Sequence, residues 1–194
     1  MIRPDTSPSA KGVPDSELLA RIGAGDLSDL GALFDRHALD VRRFLRRLGV
    51  GAGDVDDLVQ ATFLTVIDAA GNFRAPAAGS AKPWLLGLAA NVVRRHRRSL
   101  ARMAARIAAW AREPRADAAR AASDSLEVHE RSARAETALA RLSPKKREVF
   151  VMVVLEGLAA EAVAASLGIP VGTVWTRLHH ARRELRASLA EETS

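Results

Sequence analysis

Ser166 to Leu185 reads SLGIPVGTVWTRLHHARREL, a turn feeding a helix near the C-terminus. Gly168 and Pro170 punctuate the turn, and Val174, Leu178, Ala181 and Leu185 then recur at i, i+4, i+7 and i+11, one face of a helix. Thr173, Thr176, Arg177, His180 and Arg183 fall outside that stripe, with Trp175 and His179 at its flanks. A helix precedes the turn, spanning Leu158 to Leu167 in the sequence pattern. Helix, short turn, helix is the order of a helix-turn-helix, whose second helix enters the major groove with its first residues facing base edges. Arg182, Arg183 and Arg186 lie further along, where a helix crossing the groove meets phosphates. Trp175 has two readings, packing against the preceding helix or facing the DNA. The His179–His180 pair diverges around the helix and makes a poor metal site.

Working outward, the composition is that of a helical, soluble chain. Of 194 residues, 48% are hydrophobic and 27% charged, while only 4% are aromatic, which disfavours sheets and favours helices. There is no cysteine, so disulfides and thiolate metal sites are excluded, and the five histidines lack metal-ligand spacing. No cofactor or metal is expected. The N-terminal stretch has no apolar segment of signal-peptide length, and no run approaches a membrane span; a cytoplasmic location is the expectation, with no membrane partner. The net charge of +6 and pI near 10.8 point to a polyanionic partner.

The periodicity predicts an all-α chain of two small helical domains, a four-helix N-terminal bundle and a C-terminal helix-turn-helix domain, joined by a linker. Residues 1–14 read as a flexible tail. A first helix starts at Asp15, capped by Asp15 or Ser16, and Gly23 and Gly25 stop it. A second starts near Asp26 and carries Leu30, Leu33, Phe34, Val41, Phe44, Leu45 and Leu48. A third starts near Asp54 and a long fourth follows the loop Asn72–Pro83, with Trp84, Leu85, Leu88, Val92, Leu100, Met103, Ile107 and Trp110 at apolar positions. The expected N-terminal domain is 15–111, the linker 112–131, and the C-terminal domain 132–190.

Charge divides the first domain. From Leu48 to Phe73 there is no Lys or Arg, but Asp54, Asp56, Asp57 and Asp68 are present; the next helix carries Lys82, Arg94, Arg95, Arg97, Arg98, Arg102 and Arg106 with no acid among them. Four arginines in little more than one turn repel one another unless an anion lies nearby, so phosphate contact is expected. One acidic and one basic helix point to two different partners.

Three motifs in order carry a family resemblance: DVDDLVQATFLTVI (55–67 with Asp54), KPWLLGLAANVVRRHRR (82–98), and SPKKREVFVMVVLEGL followed by AASLGIPVGTVWTRLHHARRELR (143–186). Together they resemble the extracytoplasmic-function, group IV, sigma factors of bacterial RNA polymerase, over about Asp15 to Leu189. The resemblance implies a non-enzymatic transcription initiation factor with these partners: the polymerase core, at the clamp helices of the beta-prime subunit and the flap of the beta subunit; promoter DNA; and an anti-sigma factor. It places Asp57, Gln60 and Phe63 at the core contact. It places Lys82, Trp84, Asn91 and Arg95 around an unstacked −10 base, with Arg94 and Arg98 on phosphates. It places Thr173, Trp175, Thr176, His179 and His180 at the −35 element, with Arg177 and Arg182 holding the backbone. Ala159 stands where relatives carry a capping Ser, and Trp175 where many carry Lys or Arg. The alternative is a helix-turn-helix regulator that binds operator DNA without being a polymerase subunit; a DNA-acting enzyme lacks a nucleophile–base constellation.

Overall fold

The computed structural model describes residues 12–74, 80–110 and 136–191. Within them the chain is helical: α1 Asp15–Gly23, α2 Leu30–Arg47, α3 Ala52–Ala69, α4 Lys82–Trp110, α5 136–141, α6 Pro144–Phe150, α7 Ala160–Leu167 and α8 Val171–Glu191. Residues 1–11 of the expected tail 1–14, and the linker 112–131, lie outside the described residues. No helix among the described residues is long and apolar enough to cross a membrane.

Local chemistry accounts for most boundaries. Asp26 accepts the amide of Ser28 at 3.0 Å and opens a short 3₁₀ turn, Leu27–Asp29, that leads into α2. Pro144 occupies the first turn of α6, where its missing N–H costs nothing. Gly168 closes α7 at φ 64°, ψ 40°, a left-handed cap open to glycine without a Cβ penalty, and the chain turns there into α8. Two expectations change. Pro14, not Asp15 or Ser16, sits at the N-cap of α1 and no side chain caps it, because the Asp15 carboxylate is buried in another role. Leu100 and Met103 are exposed, so the core face of α4 is instead Leu85, Leu86, Ala89, Ala90, Val92 and Val93.

The helices α1–α4 form the expected bundle, with Leu18, Leu19, Leu33, Phe44, Leu45 and Val66 fully buried inside it. Full burial of each such side chain stabilises the fold by roughly 1.5–3 kcal/mol. The apolar core does not stop at the bundle: it continues through Val149, Val151, Met152, Val163, Val174 and Leu178 of the C-terminal helices. The two units meet where α7 lies on α4. A Cβ added at Gly87 would come within 2.5 Å of the Ser166 carbonyl oxygen, so only glycine permits this approach. A satellite cluster of Leu139, Leu142 and Ala181 ties α5 to α8.

Candidate nucleic-acid interface

The second helix of the helix-turn-helix presents two faces. Val174, Leu178 and Ala181 are buried, and Leu185 is half-buried against the satellite cluster. On the other side Trp175, Thr176, His179 and Arg182 are exposed, while Thr173, Arg177 and His180 are half-buried. Trp175 is 52% exposed, which decides between its two readings against packing on α7. The His179 and His180 rings meet edge-on, 5.6 Å between centroids. The Thr176 hydroxyl donates to the Gly172 carbonyl at 2.9 Å, which fixes its rotamer and leaves its lone pairs outward. Ala159 occupies the N-cap of α7 with no side-chain bond, at the position where the capping Ser was missed in the sequence.

In α4 the arginine cluster divides. Arg95 and Arg98 are exposed, and no ion pair or hydrogen bond among the described residues reaches either. Arg94 turns inward: its Nη1 donates to Glu148 Oε2 at 2.7 Å, and it also bonds Asn91 Oδ1. The acid that the linear sequence lacked is therefore supplied by α6. Lys82 is likewise engaged, 2.9 Å from Glu156 Oε2 and 3.3 Å from Asp40 Oδ2, and Arg47 pairs with the other oxygen of Glu156. Trp84 is half-buried and meets Phe73 edge-on at 5.2 Å. Asn91 is half-buried beside Arg94.

These acids went unmarked in the sequence because each lies far along the chain from the cation it meets: Glu148 is 54 residues from Arg94, and Glu156 is 109 from Arg47. Glu148 is 1% exposed, and its Oε1 has no hydrogen-bond partner among the described residues. Burial pushes its pKa up, opposed by Arg94 and more weakly by Arg97 and Arg177. Glu156 follows a widened helical turn, Val151–Leu155, where its amide bonds Val151 O at 2.9 Å in an i→i+5 step. Beside them the Arg147 guanidinium, 8% exposed, donates to Leu48 O at 2.9 Å and to Leu139 O. Arg97 also donates to Leu48 O, so two cations converge on the negative end of α2. Burial and then the nearby Arg97 hold the Arg147 pKa below its ordinary value.

On the acidic helix α3, Asp57 and Gln60 are exposed. Phe63 corrects the expectation: it is 4% exposed and packs on Phe34 with ring centroids 4.8 Å apart. Its place on the surface is taken by Leu64, 56% exposed, which follows Asp57 and Gln60 at i+7 and i+4 and so shares their face. Among the described residues no group of His, Asp and Glu side chains has the arrangement to hold a metal ion.

Two family models match the chain. The family models for Sigma-70 region 2 and Sigma-70, region 4 match residues 33–103 and 132–185. The chain is 36% identical over 162 residues to RNA polymerase sigma factor CarQ of Myxococcus xanthus, covering 82% of this chain and 88% of that one. It is 33% identical over 178 residues to ECF RNA polymerase sigma factor SigM of Mycobacterium tuberculosis, covering 88% and 82%. Among solved structures it is similar to CnrH, determined in complex with the cytosolic domain of CnrY, with a TM-score of 0.64, 27% identity, and coverage of 91% of this chain and 97% of that one. The fold also matches the sigma factor RpoE of Bartonella quintana, solved with the anti-sigma factor NepR, at a TM-score of 0.63 and 23% identity over 84% and 97% of the two chains. With both regions matched in order and relatives alike over most of their length, the chain belongs to the extracytoplasmic-function sigma factors of RNA polymerase, which bind the polymerase and direct transcription initiation.

Proposed function

We propose that the two units divide promoter recognition between them, 132–190 reading the −35 duplex and 15–111 holding core polymerase and the opened −10 strand, with 112–131 as the tether and 1–14 as a tail. The observation that carries this is the two-faced helix α8. Its apolar stripe is buried in the fold, while Trp175, Thr176, His179 and Arg182 stand exposed just past the Gly168 turn. Thr176 and His180 read bases, with Trp175, His179 and Thr173 around them. Arg177 and Arg182 hold phosphates, which position without specifying sequence.

In the first unit Asp57 and Gln60, with Leu64 beside them and Phe63 beneath, meet the polymerase core. Lys82, Trp84, Asn91 and Arg95 surround an unstacked −10 base, and Arg94 and Arg98 take phosphates. Arg94 and Lys82 must exchange Glu148 and Glu156 for DNA to do so. The chain carries no catalytic site in this reading, and nucleotidyl transfer belongs to the polymerase. It acts in the cytoplasm, and an anti-sigma factor that covers these faces is its inhibitor; the likeness to CnrH, solved with a protein partner, supports that part.

The test is a pair of substitutions in α8. Thr176→Ala with His180→Ala should erase preference among −35 sequences while the salt slope of binding stays fixed. Arg182→Ala should weaken all sequences alike and flatten that slope by about one. An unchanged base preference in the double variant overturns the assignment.

A further inference from the structure

Helix α1 touches the backbone on both sides of residues 75–79. Before that segment runs a 3₁₀ turn, Ala70–Asn72, then Phe73. Gly23, the last residue of α1, lies on this turn: a Cβ there would come 2.9 Å from Gly71 N and 3.0 Å from its Cα. After the segment come Ser80 and Ala81, and at the opposite end of α1 the Asp15 carboxylate accepts the Ala81 amide at 2.8 Å. Eight residue steps of helix separate the two contacts, about 12 Å.

The Asp15 end is built, not incidental. Asp15 is 5% exposed, and besides Ala81 it takes His37 Nε2 at 2.9 Å and the Arg36 guanidinium. A buried carboxylate with three fixed donors holds one orientation, as an apolar residue in its place would not. Ala81 is fully buried and its carbonyl opens α4 by accepting the Leu85 amide at 2.9 Å. Lys82 and Trp84 follow at once, and Trp84 meets Phe73 from the other side. Whatever fixes Ala81 and Gly71 therefore fixes where Lys82, Trp84 and Phe73 stand relative to one another.

We infer that α1 is a strut that sets the span between these two stems, and that Asp15 and Gly23 are positioning residues for the −10 reader formed by Lys82, Trp84 and Asn91. The inference rests on the −10 reading proposed above. Neither residue touches DNA: Asp15 acts through the Ala81 amide and Gly23 through the Gly71 backbone. A reader of a single splayed base tolerates displacement of only a fraction of an ångström, so loss of the strut is felt as lost discrimination before it is felt as lost fold.

The test uses the full chain in holoenzyme with core polymerase, on forked promoter fragments carrying either the −10 sequence that the wild type selects from a random library or single-base changes in it. Asp15→Ala is expected to lower discrimination between these fragments roughly tenfold, Asp15→Asn, which retains an acceptor for Ala81, to recover most of it, and Gly23→Ala to cause a similar loss from the other end. Affinity for a −35 duplex and for core is expected to stay unchanged. Should Asp15→Ala fail to fold, Gly23→Ala, expected to lose discrimination, is set against Asp15→Asn, expected to keep most of it. Lys82→Ala and Asn91→Ala are the controls. If they lose discrimination while Asp15→Ala and Gly23→Ala keep it, the strut is overturned and the −10 reading stands. Equal losses at −10 and −35 in the α1 variants overturn it as well, since they report a general weakening of the fold. If Lys82→Ala and Asn91→Ala themselves leave discrimination intact, the −10 reading falls and the inference with it.

Discussion

Arg94 Nη1 and Glu148 Oε2 lie 2.7 Å apart, across 54 residues of sequence and across the seam between the two units. The arginine belongs to the set expected on −10 phosphates, and the carboxylate is among the most buried groups of the protein.

Glu148 is costly where it sits. Burial raises its pKa, so ionising it costs more in the folded protein than in the unfolded chain, and one oxygen has no hydrogen-bond partner among the described residues. Glu148→Gln is expected to stabilise the protein at neutral pH by on the order of 1 kcal/mol, seen as a rise of roughly 2–4 °C in melting temperature. A fall of that size would mean that the ion pair outweighs the cost of burying it.

Glu148 and Glu156 together hold Arg94, Lys82 and Arg47. A protein whose binding-competent form is a minor fraction binds more weakly by that fraction. Free chain carrying Glu148→Gln with Glu156→Gln is therefore expected to bind a single-stranded −10 oligonucleotide at least about tenfold more tightly than wild type, measured by fluorescence anisotropy at fixed salt. Equal affinities would show that these carboxylates do not compete with DNA.

The two buried carboxylates have opposite pH signatures. Burial raises the Asp15 pKa, but the Ala81 amide, Arg36 and His37 together bring it below its ordinary value. Its contribution to stability is complete above the unfolded pKa and is lost as pH falls through the folded one. Asp15→Asn should thus cost about 1–3 kcal/mol at neutral pH and less at acid pH. For Glu148 the folded pKa lies above the unfolded one, so the wild type loses stability relative to Glu148→Gln as pH rises between them. Denaturant titrations of both variants across the acid range check the two signs.

Ala159 leaves the first turn of α7 uncapped in extended geometry, φ −61° and ψ 142°. Ala159→Ser should therefore stabilise the C-terminal unit by about 1 kcal/mol without altering −35 preference. No change in melting would place the hydroxyl elsewhere than on the free amides of α7.

The helices were legible because their signals are local: the Gly168 turn and the Val174, Leu178, Ala181 stripe reappear in the fold residue for residue. The missing cap at Ala159 was legible for the same reason. What sequence periodicity cannot carry is the partner of a side chain. Leu100 and Met103 fit the apolar rhythm of α4 and are exposed all the same, since no neighbouring helix covers them among the described residues. Phe63, expected at the core contact, is buried against Phe34. Arg94 had no acid within reach along the chain and finds one on α6. Asp15 looked like a helix cap and is the centre of a buried cluster whose other members, Arg36, His37 and Ala81, come from two other places in the sequence.

The most direct test of the account is reconstitution with core RNA polymerase on a randomised promoter library. The protein should co-purify with core and yield transcripts from one class of promoter, defined by paired −35 and −10 elements. Failure to bind core, or DNA binding with no promoter-specific transcript, would contradict it and favour a regulator that acts without joining the polymerase.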